Sequence, residues 1–257
     1  MTGCRGPPYL SSVDRTIGRL LVLGHRGYRA KFPENTLLAF REALAAGADG
    51  IECDLQKTRN GQFVVIHDPR TGRVAGADRE VGGSDLTELR GLDFGKGERI
   101  PTLEEVLRTL PAGTWLDLEL KEETIAPADC PKIAAILDSA FPRKRLMISS
   151  FDPRVLYPMR AMGFAVGFLV GEEVAQHGML SFAATLIRLR PRYVNLPIDI
   201  VPMLGAARAR RLVRALRWLG FSILFWTVNT EEGAAFAAPL AELIVTDDVE
   251  RIRQALR

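Results

Sequence analysis

Two histidines, an arginine and several carboxylates stand close together near the start of the chain. His25 and Arg26 follow an apolar run in G-H-R-G, Glu34 lies in P-E-N-T, Glu52 and Asp54 are separated by one residue in E-C-D, and His67 precedes Asp68. The chain has three histidines in 257 residues, so placing two of them within this stretch is a concentration of proton-transfer groups. Further on, W-L-D-L-E-L-K contributes Asp117, Glu119 and Lys121. Splitting a phosphodiester requires deprotonating the attacking oxygen and protonating the leaving alkoxide, and imidazole does either near neutral pH. An arginine beside such a histidine can fork onto non-bridging phosphate oxygens. The set suits phosphate ester chemistry.

These side chains need a scaffold that gathers them, and the chain supplies short apolar runs alternating with helical patterns. Strands are expected at Leu20–His25, Gly50–Asp54, Trp115–Leu120, Leu146–Ser150, Ala165–Val170, Tyr193–Leu196, Ser222–Thr227 and Leu243–Thr246. Helices are expected at Thr36–Ala46, Thr102–Thr109, Pro131–Phe141, Pro153–Met162, Leu180–Leu189, Ala206–Leu219 and Glu231–Ala238. Eight βα units at this length predict a closed (β/α)8 TIM barrel, an α/β fold, over residues 20–257, with 1–19 as an N-terminal extension. The run Phe63–Asp68 follows the second strand too closely for a parallel crossover, so it must return antiparallel, with Asn60-Gly61 as the turn. This predicts a β-hairpin extension of strand 2. The glycine- and charge-rich segment at about 69–100 reads as a small insertion over the barrel mouth.

In such barrels the active site lies at the C-terminal ends of the strands. His25, Glu52, Asp54, Glu119, Lys121, Trp226 and Asp247 all fall at or just past those ends. Glu52 and Asp54 share one face of their strand, and Asp117, Glu119 and Lys121 share the inward face of theirs. Because the hairpin belongs to strand 2, the Trp115–Leu120 strand becomes its neighbour and Glu119 meets Glu52 and Asp54. Three such carboxylates repel unless a cation neutralises them, and all-oxygen ligation favours Mg²⁺ or Ca²⁺ over zinc. A plainer account makes them ion-paired rim carboxylates with Lys121 as partner. Likewise Arg26 can form a salt bridge that orients Glu34 or a metal carboxylate, which need not exclude contact with phosphate. Asn35 or Thr36 caps the first helix while Glu34 bonds within the site. Trp226 walls a substrate pocket or simply packs in the core. His177, in Gln-His-Gly, reads as a surface-loop residue.

The ordered series H-R, P-E-N-T, E-C-D and H-D, continued by E-L-K at Glu119–Lys121, S-S-F at Ser149–Phe151, W-T-V-N at Trp226–Asn229 and T-D at Thr246–Asp247, resembles the glycerophosphodiester phosphodiesterase family from Leu21 onward. The resemblance implies metal-dependent hydrolysis of glycerophosphodiesters to glycerol 3-phosphate and an alcohol. It makes His25 and His67 the catalytic pair and Glu52, Asp54 and Glu119 the ligands of a divalent cation, Mg²⁺ or Ca²⁺. Arg26, Glu34, Lys121 and Trp226 are then substrate-binding. Attack by water, or by a glycerol hydroxyl through a cyclic phosphate, fits equally well, and the acid and base are not distinguished. The chain departs from the family pattern in P-R-T-G-R-V-A-G after H-D and in lacking a proline after T-D, which bears on the lid and substrate. Two alternatives stand beside this reading: a lysophospholipase D or phospholipase-type phosphodiesterase, and a non-catalytic phosphodiester-binding barrel.

Composition narrows the partners. With 47% hydrophobic residues the chain can bury a large core, and no Pro/Ser-rich linker divides it. A net charge of +3 and pI near 8.9 fall short of a nucleic-acid binder. Arg208, Arg210, Arg211, Arg214 and Arg217 mark one arginine-rich helix, read as a solvated face or as a surface for anionic lipid or substrate. Cys4, Cys53 and Cys130 form neither a disulfide framework nor a zinc pattern, which suits a reducing compartment. No run approaches the roughly 18 apolar residues of a membrane span, and too few residues precede Cys4 for a signal segment. The expectation is a cytoplasmic protein with no stable membrane anchor.

Overall fold

Strand alternation separates each βα unit into a face toward the helices and a face toward the barrel interior. The computed structural model describes residues 19–257, excluding the side chains of 172–177 and 179; Cys4 and nearly all of the expected N-terminal extension lie outside the described residues. Nine strands are present: β1 (Leu21–His25), β2 (Gly50–Lys57), β3 (Phe63–Val65), β4 (Trp115–Leu120), β5 (Leu146–Ser150), β6 (Ala165–Leu169), β7 (Tyr193–Pro197), β8 (Ser222–Trp226) and β9 (Leu243–Thr246). All except β3 pair in parallel. The sheet runs β1-β9-β8-β7-β6-β5-β4-β2 and closes through β1–β2, giving an eight-stranded barrel. In β4, Leu116, Leu118 and Leu120 are buried in the helix-facing core, each stabilising the fold by roughly 1.5–3 kcal/mol. The lower interior is plugged by a separate apolar layer that includes Leu23, Met147, Tyr193 and Val245.

Helices follow as α1 (Leu37–Ala45), α2 (Gly72–Ala75), α3 (Leu86–Arg90), α4 (Leu103–Thr109), α5 (Cys130–Ala140), α6 (Pro153–Ala161), α7 (Glu172–Leu189), α8 (Ile200–Leu204), α9 (Ala206–Trp218), α10 (Glu231–Ala237) and α11 (Val249–Ala255). Thr36 caps α1 by accepting from the Ala39 amide, which resolves the choice between Asn35 and Thr36. The helix expected at Leu180–Leu189 begins at Glu172 and bends at Gly178, whose φ of 77° breaks the helical path. His177 is therefore in a helical segment rather than a loop, and its side chain lies outside the described ones. The shorter α2, α3 and α8 are not readable in the sequence, because little more than one turn leaves no period, whereas α11, as long as α4 and α10, supplies the eighth helix that the βα count requires.

The hairpin is built as its turn chemistry requires. Leu55, Gln56 and Lys57 of β2 pair antiparallel with Val65, Val64 and Phe63 of β3. Thr58 N–H donates to Gln62 O at 2.9 Å, and Gly61 takes the left-handed φ of 74° that closes a three-residue loop. Residues 69–100 return across this hairpin and, despite their sparse apolar content, bury Val81, Leu89, Phe94 and Ile100 with Val64 and Ile66 in a small core of their own. The sequence disguises this core because its members stand singly between polar residues.

Gly27 fixes where the chain leaves β1. Its φ is +81°, and a Cβ there would lie 2.6–2.7 Å from the Ala39 backbone. Gly27→Ala should therefore destabilise the protein by about 1–3 kcal/mol or more, through left-handed strain and overpacking against α1. Thermal unfolding of the variant checks this.

Candidate active site

Parallel register carries the chemistry-bearing residues to one end of the barrel. Asp54 of β2 stands opposite Glu119 of β4, and His25 of β1 stands opposite Glu52. Glu52, Asp54 and Glu119 each offer a carboxylate oxygen within 4.8 Å of the other two, and all three are buried. Burial, then Asp54 and Glu119, pushes the Glu52 carboxyl well above its ordinary range. Burial, then Asp54, raises Glu119 to about 8. Burial also pushes Asp54 upward, but Lys121, Arg26 and His67 outweigh it and hold this group ionised and below its ordinary value. The triad is thus a site where three anions cannot coexist without a cation. Asp54 Oδ1 is buried with no hydrogen-bond partner, the position of an acceptor suited to a hard cation. The residues present fit a divalent ion.

Two cations already touch the triad. Lys121 Nζ donates to Glu119 Oε1 at 2.8 Å and lies 3.5 Å from Asp54 Oδ1; burial opposes its charge, but the two carboxylates keep its pKa raised. Arg26 has a left-handed φ of 53°. From that turn its backbone N–H donates to Glu52 Oε2 at 2.9 Å, and its Nη1 donates to Glu34 Oε1 at 2.8 Å. Its Nε lies 3.3 Å from Asp54 Oδ2. The salt-bridge account of Arg26 is therefore realised. Asn35, also left-handed, donates its side-chain N–H to Asp54 Oδ2 at 2.8 Å and its backbone N–H to Arg26 O at 2.9 Å. The sequence does not reveal that tie between P-E-N-T and the triad, because it presents Asn35 only as a possible helix cap.

Each histidine is held by a carboxylate at Nδ1, leaving Nε2 for other partners. His25 Nδ1 meets Asp247 Oδ1 at 2.6 Å, and His67 Nδ1 meets Asp68 Oδ1 at 2.6 Å. His25 Nε2 lies 3.9 Å from Glu52 Oε2. Burial pulls the His25 imidazole below its ordinary 6.5 despite the Asp247 bond, with Arg26 adding to the shift. Burial also lowers His67, aided by Lys121 and Arg26 against the pull of Asp54. Asp247 is fixed in turn by Asn229, whose Nδ2 donates to Oδ2 at 2.7 Å and whose Oδ1 accepts the Asp247 amide at 2.9 Å. T-D and W-T-V-N contain Asp247 and Asn229, but nothing in the local sequence reveals the task of either. Only the β1–β9 pairing brings residues 222 positions apart into contact.

Trp226 sits half-buried at the mouth end of β8, edge-on to Phe151 at 5.8 Å, with Nε1 donating to Asn195 O at 3.2 Å. Asp117, one layer below Glu119, accepts from Ser149 Oγ at 2.6 Å, and burial raises its carboxyl to about 7. Arg73, within the segment that departs from the family pattern, donates to both Glu34 oxygens at 2.7 and 2.9 Å and to Asp68 Oδ2 at 2.6 Å. It joins the carboxylate that holds Arg26 to the carboxylate that holds His67. Arg73 and Arg26 together outweigh burial and keep the Glu34 carboxyl near 2.

A carboxylate cluster suited to a hard ion, flanked by two anchored imidazoles and two cations at a barrel mouth, is the equipment of a phosphodiester hydrolase. The comparisons agree: residues 25–251 match the model of the Glycerophosphoryl diester phosphodiesterase family, and the chain belongs to that family. It is 31% identical to a glycerophosphodiester phosphodiesterase from Caldanaerobacter subterraneus subsp. tengcongensis, across 93% of this chain and 98% of that one. The crystal structure of a glycerophosphodiester phosphodiesterase from Thermotoga maritima superposes with a TM-score of 0.79 at 31% identity, covering 93% of this chain and 98% of that one. A phosphodiesterase from Oleispira antarctica, solved with the product sn-glycerol-3-phosphate, shares the fold with a TM-score of 0.82 at 24% identity, covering 93% and 97%.

Two expectations follow from the charges. The folded, metal-stripped protein holds a proton on Glu119 up to about pH 8, whereas the unfolded chain releases it near 4.5. This contribution is fully present below the unfolded value and is lost as pH rises through the folded one. Relative to Glu119→Gln, the metal-stripped wild type should therefore lose thermal stability across that window, and added divalent ion should reverse the loss only in the wild type. Arg73→Ala should lower turnover roughly 10–100-fold, the usual cost of removing a group that orients functional side chains, with little change in unfolding temperature. Steady-state kinetics beside thermal unfolding separate the two effects.

Proposed function

We propose that this phosphodiesterase cleaves soluble glycerophosphodiesters into glycerol 3-phosphate and a small alcohol, with His25 and His67 dividing the two proton transfers. The observation that carries this reading is the placement of two carboxylate-anchored imidazoles beside a triad with a buried carboxylate oxygen that accepts no hydrogen bond. Glu52, Asp54 and Glu119 would hold Mg²⁺ or Ca²⁺, which when bound supplies Lewis-acid polarisation of the phosphoryl group. Arg26 binds non-bridging phosphate oxygens, and its buried Nε, without a hydrogen-bond acceptor among the described residues, supports that role. Lys121 steadies charge gathering on phosphorus in the transition state. Glu34 holds Arg26 in place, and Trp226 walls the glycerol half of the substrate. Asp247 and Asp68 keep a proton on each Nδ1, so each Nε2 presents its lone pair or, once protonated, its proton to the substrate. A second histidine prepared in this way has no use in a binding-only barrel.

The alcohol half faces the segment at 69–100. Between that segment and the hairpin lies a cleft of about 450 Å³ whose walls include Lys57, Arg59, Pro69, Glu80, Glu123 and Thr124. No aromatic or large aliphatic side chain lines it, so it has neither an apolar box for an acyl chain nor an aromatic cage for choline. This supports small polar headgroups over lysophospholipids. No helix among the described residues is long and apolar enough to cross a membrane. Buried, unpaired Cys53 and Cys130 support a cytoplasmic location.

Product analysis with glycerophosphocholine, with and without a strong chelator, tests the reaction. Glycerol 3-phosphate should form and should disappear after metal stripping; chelator-resistant activity would sink the metal assignment. His25→Ala and His67→Ala should each reduce kcat by at least roughly 10², and near-normal turnover in either removes that histidine from the mechanism. Across glycerophosphocholine, glycerophosphoethanolamine and a lysophospholipid, kcat/KM for the two small diesters should agree within about 10², the range modest pocket contacts supply, with the lysophospholipid poorest.

A further inference from the structure

We propose that α8 and the outward side of α9 form a surface that docks the enzyme on anionic phospholipid bilayers. The reaction itself gives no reason for this surface, because none of its residues touches the site described above. α9 turns Ala209, Val213 and Leu216 into the core. Arg208, Arg211, Arg214 and Trp218 recur at spacings of three and four on its outward side, where all are exposed and Trp218 is 85% exposed. The helix contains no acidic residue. Among the described residues its only ion pair is Arg217 with Glu242, while Arg210 stacks on Phe236. Arg208, Arg211 and Arg214 therefore present their charge outward.

The surface is not merely cationic. α8 leads into α9 through Gly205, and its Met203 is 70% exposed and Leu204 38%; at the other end Leu219 is 58% exposed. α8 follows the mouth end of β7, so Met203 and Leu204 lie toward the rim and α9 runs back along the barrel wall for roughly 20 Å. Large apolar side chains exposed at both ends of an arginine-lined helix mark an interaction surface. Arginines interleaved with tryptophan, leucine and methionine match a bilayer, where guanidiniums meet lipid phosphates, tryptophan sits at headgroup level and aliphatic chains enter the acyl boundary. A nucleic-acid backbone would satisfy the arginines but not Met203, Leu204 and Leu219.

Substrate chemistry gives this surface a use. A glycerophosphodiester is a phospholipid without its acyl chains, so the reactions that supply it are deacylations at bilayer surfaces. Docking along α8 and α9 would hold the barrel mouth beside that source while the substrate still enters from water.

Co-sedimentation of the full chain with vesicles of phosphatidylcholine alone, or with phosphatidylglycerol added, tests the proposal at low ionic strength. Binding is expected only where phosphatidylglycerol is present. The triple variant Arg208→Glu, Arg211→Glu, Arg214→Glu should bind at least about tenfold more weakly. Brominated acyl chains should quench tryptophan emission in the wild type, and that quenching should be lost in Trp218→Phe. Glycerophosphocholine turnover in solution should be unchanged in all variants. Failure to prefer phosphatidylglycerol, or undiminished binding by the triple variant, overturns the proposal. So does an unquenched Trp218, including the case where an RNA or an acidic peptide binds the same arginines instead.

Discussion

The rest of the site answers one electrostatic problem: Glu52, Asp54 and Glu119 are buried within a few ångströms of each other at the barrel mouth. Like charges at that distance in a poorly solvated place cannot all remain ionised. The protein offsets part of the repulsion with Lys121 and Arg26, and Asp54 stays ionised because it lies close to both. Glu52 and Glu119 are left with raised pKa values, and that residual need defines the affinity for a divalent ion. A hydrophobic replacement would relieve the repulsion and remove the chemistry with it.

The same crowding organises the surroundings. Arg26 is useful to the triad only if Glu34 holds the far side of its guanidinium, and Glu34 stays ionised because Arg73 shares the load. Arg73 then extends the chain of charges to Asp68 and His67. On the opposite side Arg29 lies between Glu34 and Asp247, at 3.7 and 3.6 Å, and Asp247 holds His25. Opposite charges thus alternate around the mouth and link both histidines to Arg26 and the carboxylate triad. The segment at 69–100, which carries Arg73, is part of the site's electrostatics as well as its cover.

Backbone conformation makes this economical. Arg26 and Asn35 take left-handed conformations, unusual for non-glycine residues, and both use them to aim polar groups at the triad. The exchange between Asn35 N–H and Arg26 O locks the two turns together.

Much of this was legible in the sequence, because strand periodicity is a local property. Alternation in W-L-D-L-E-L-K already set Glu119 and Lys121 on one face, and Glu52 and Asp54 on another. The short K-T-R-N-G-Q connection already required an antiparallel return, which made β2 and β4 neighbours. Those local rules, with the ordered motifs, determined the barrel, the family and the candidate triad. Tertiary structure alone decided the pairings Asp247 with His25, Arg73 with Glu34 and Asp68, and Asn35 with Asp54. It also decided that Met203 and Trp218 stand exposed beside the arginines of α9. The reason is physical: periodicity says which way a side chain points from its own backbone, but which distant carboxylate it meets depends on the closure of β9 onto β1 and the fold of the loops above, which no local pattern encodes.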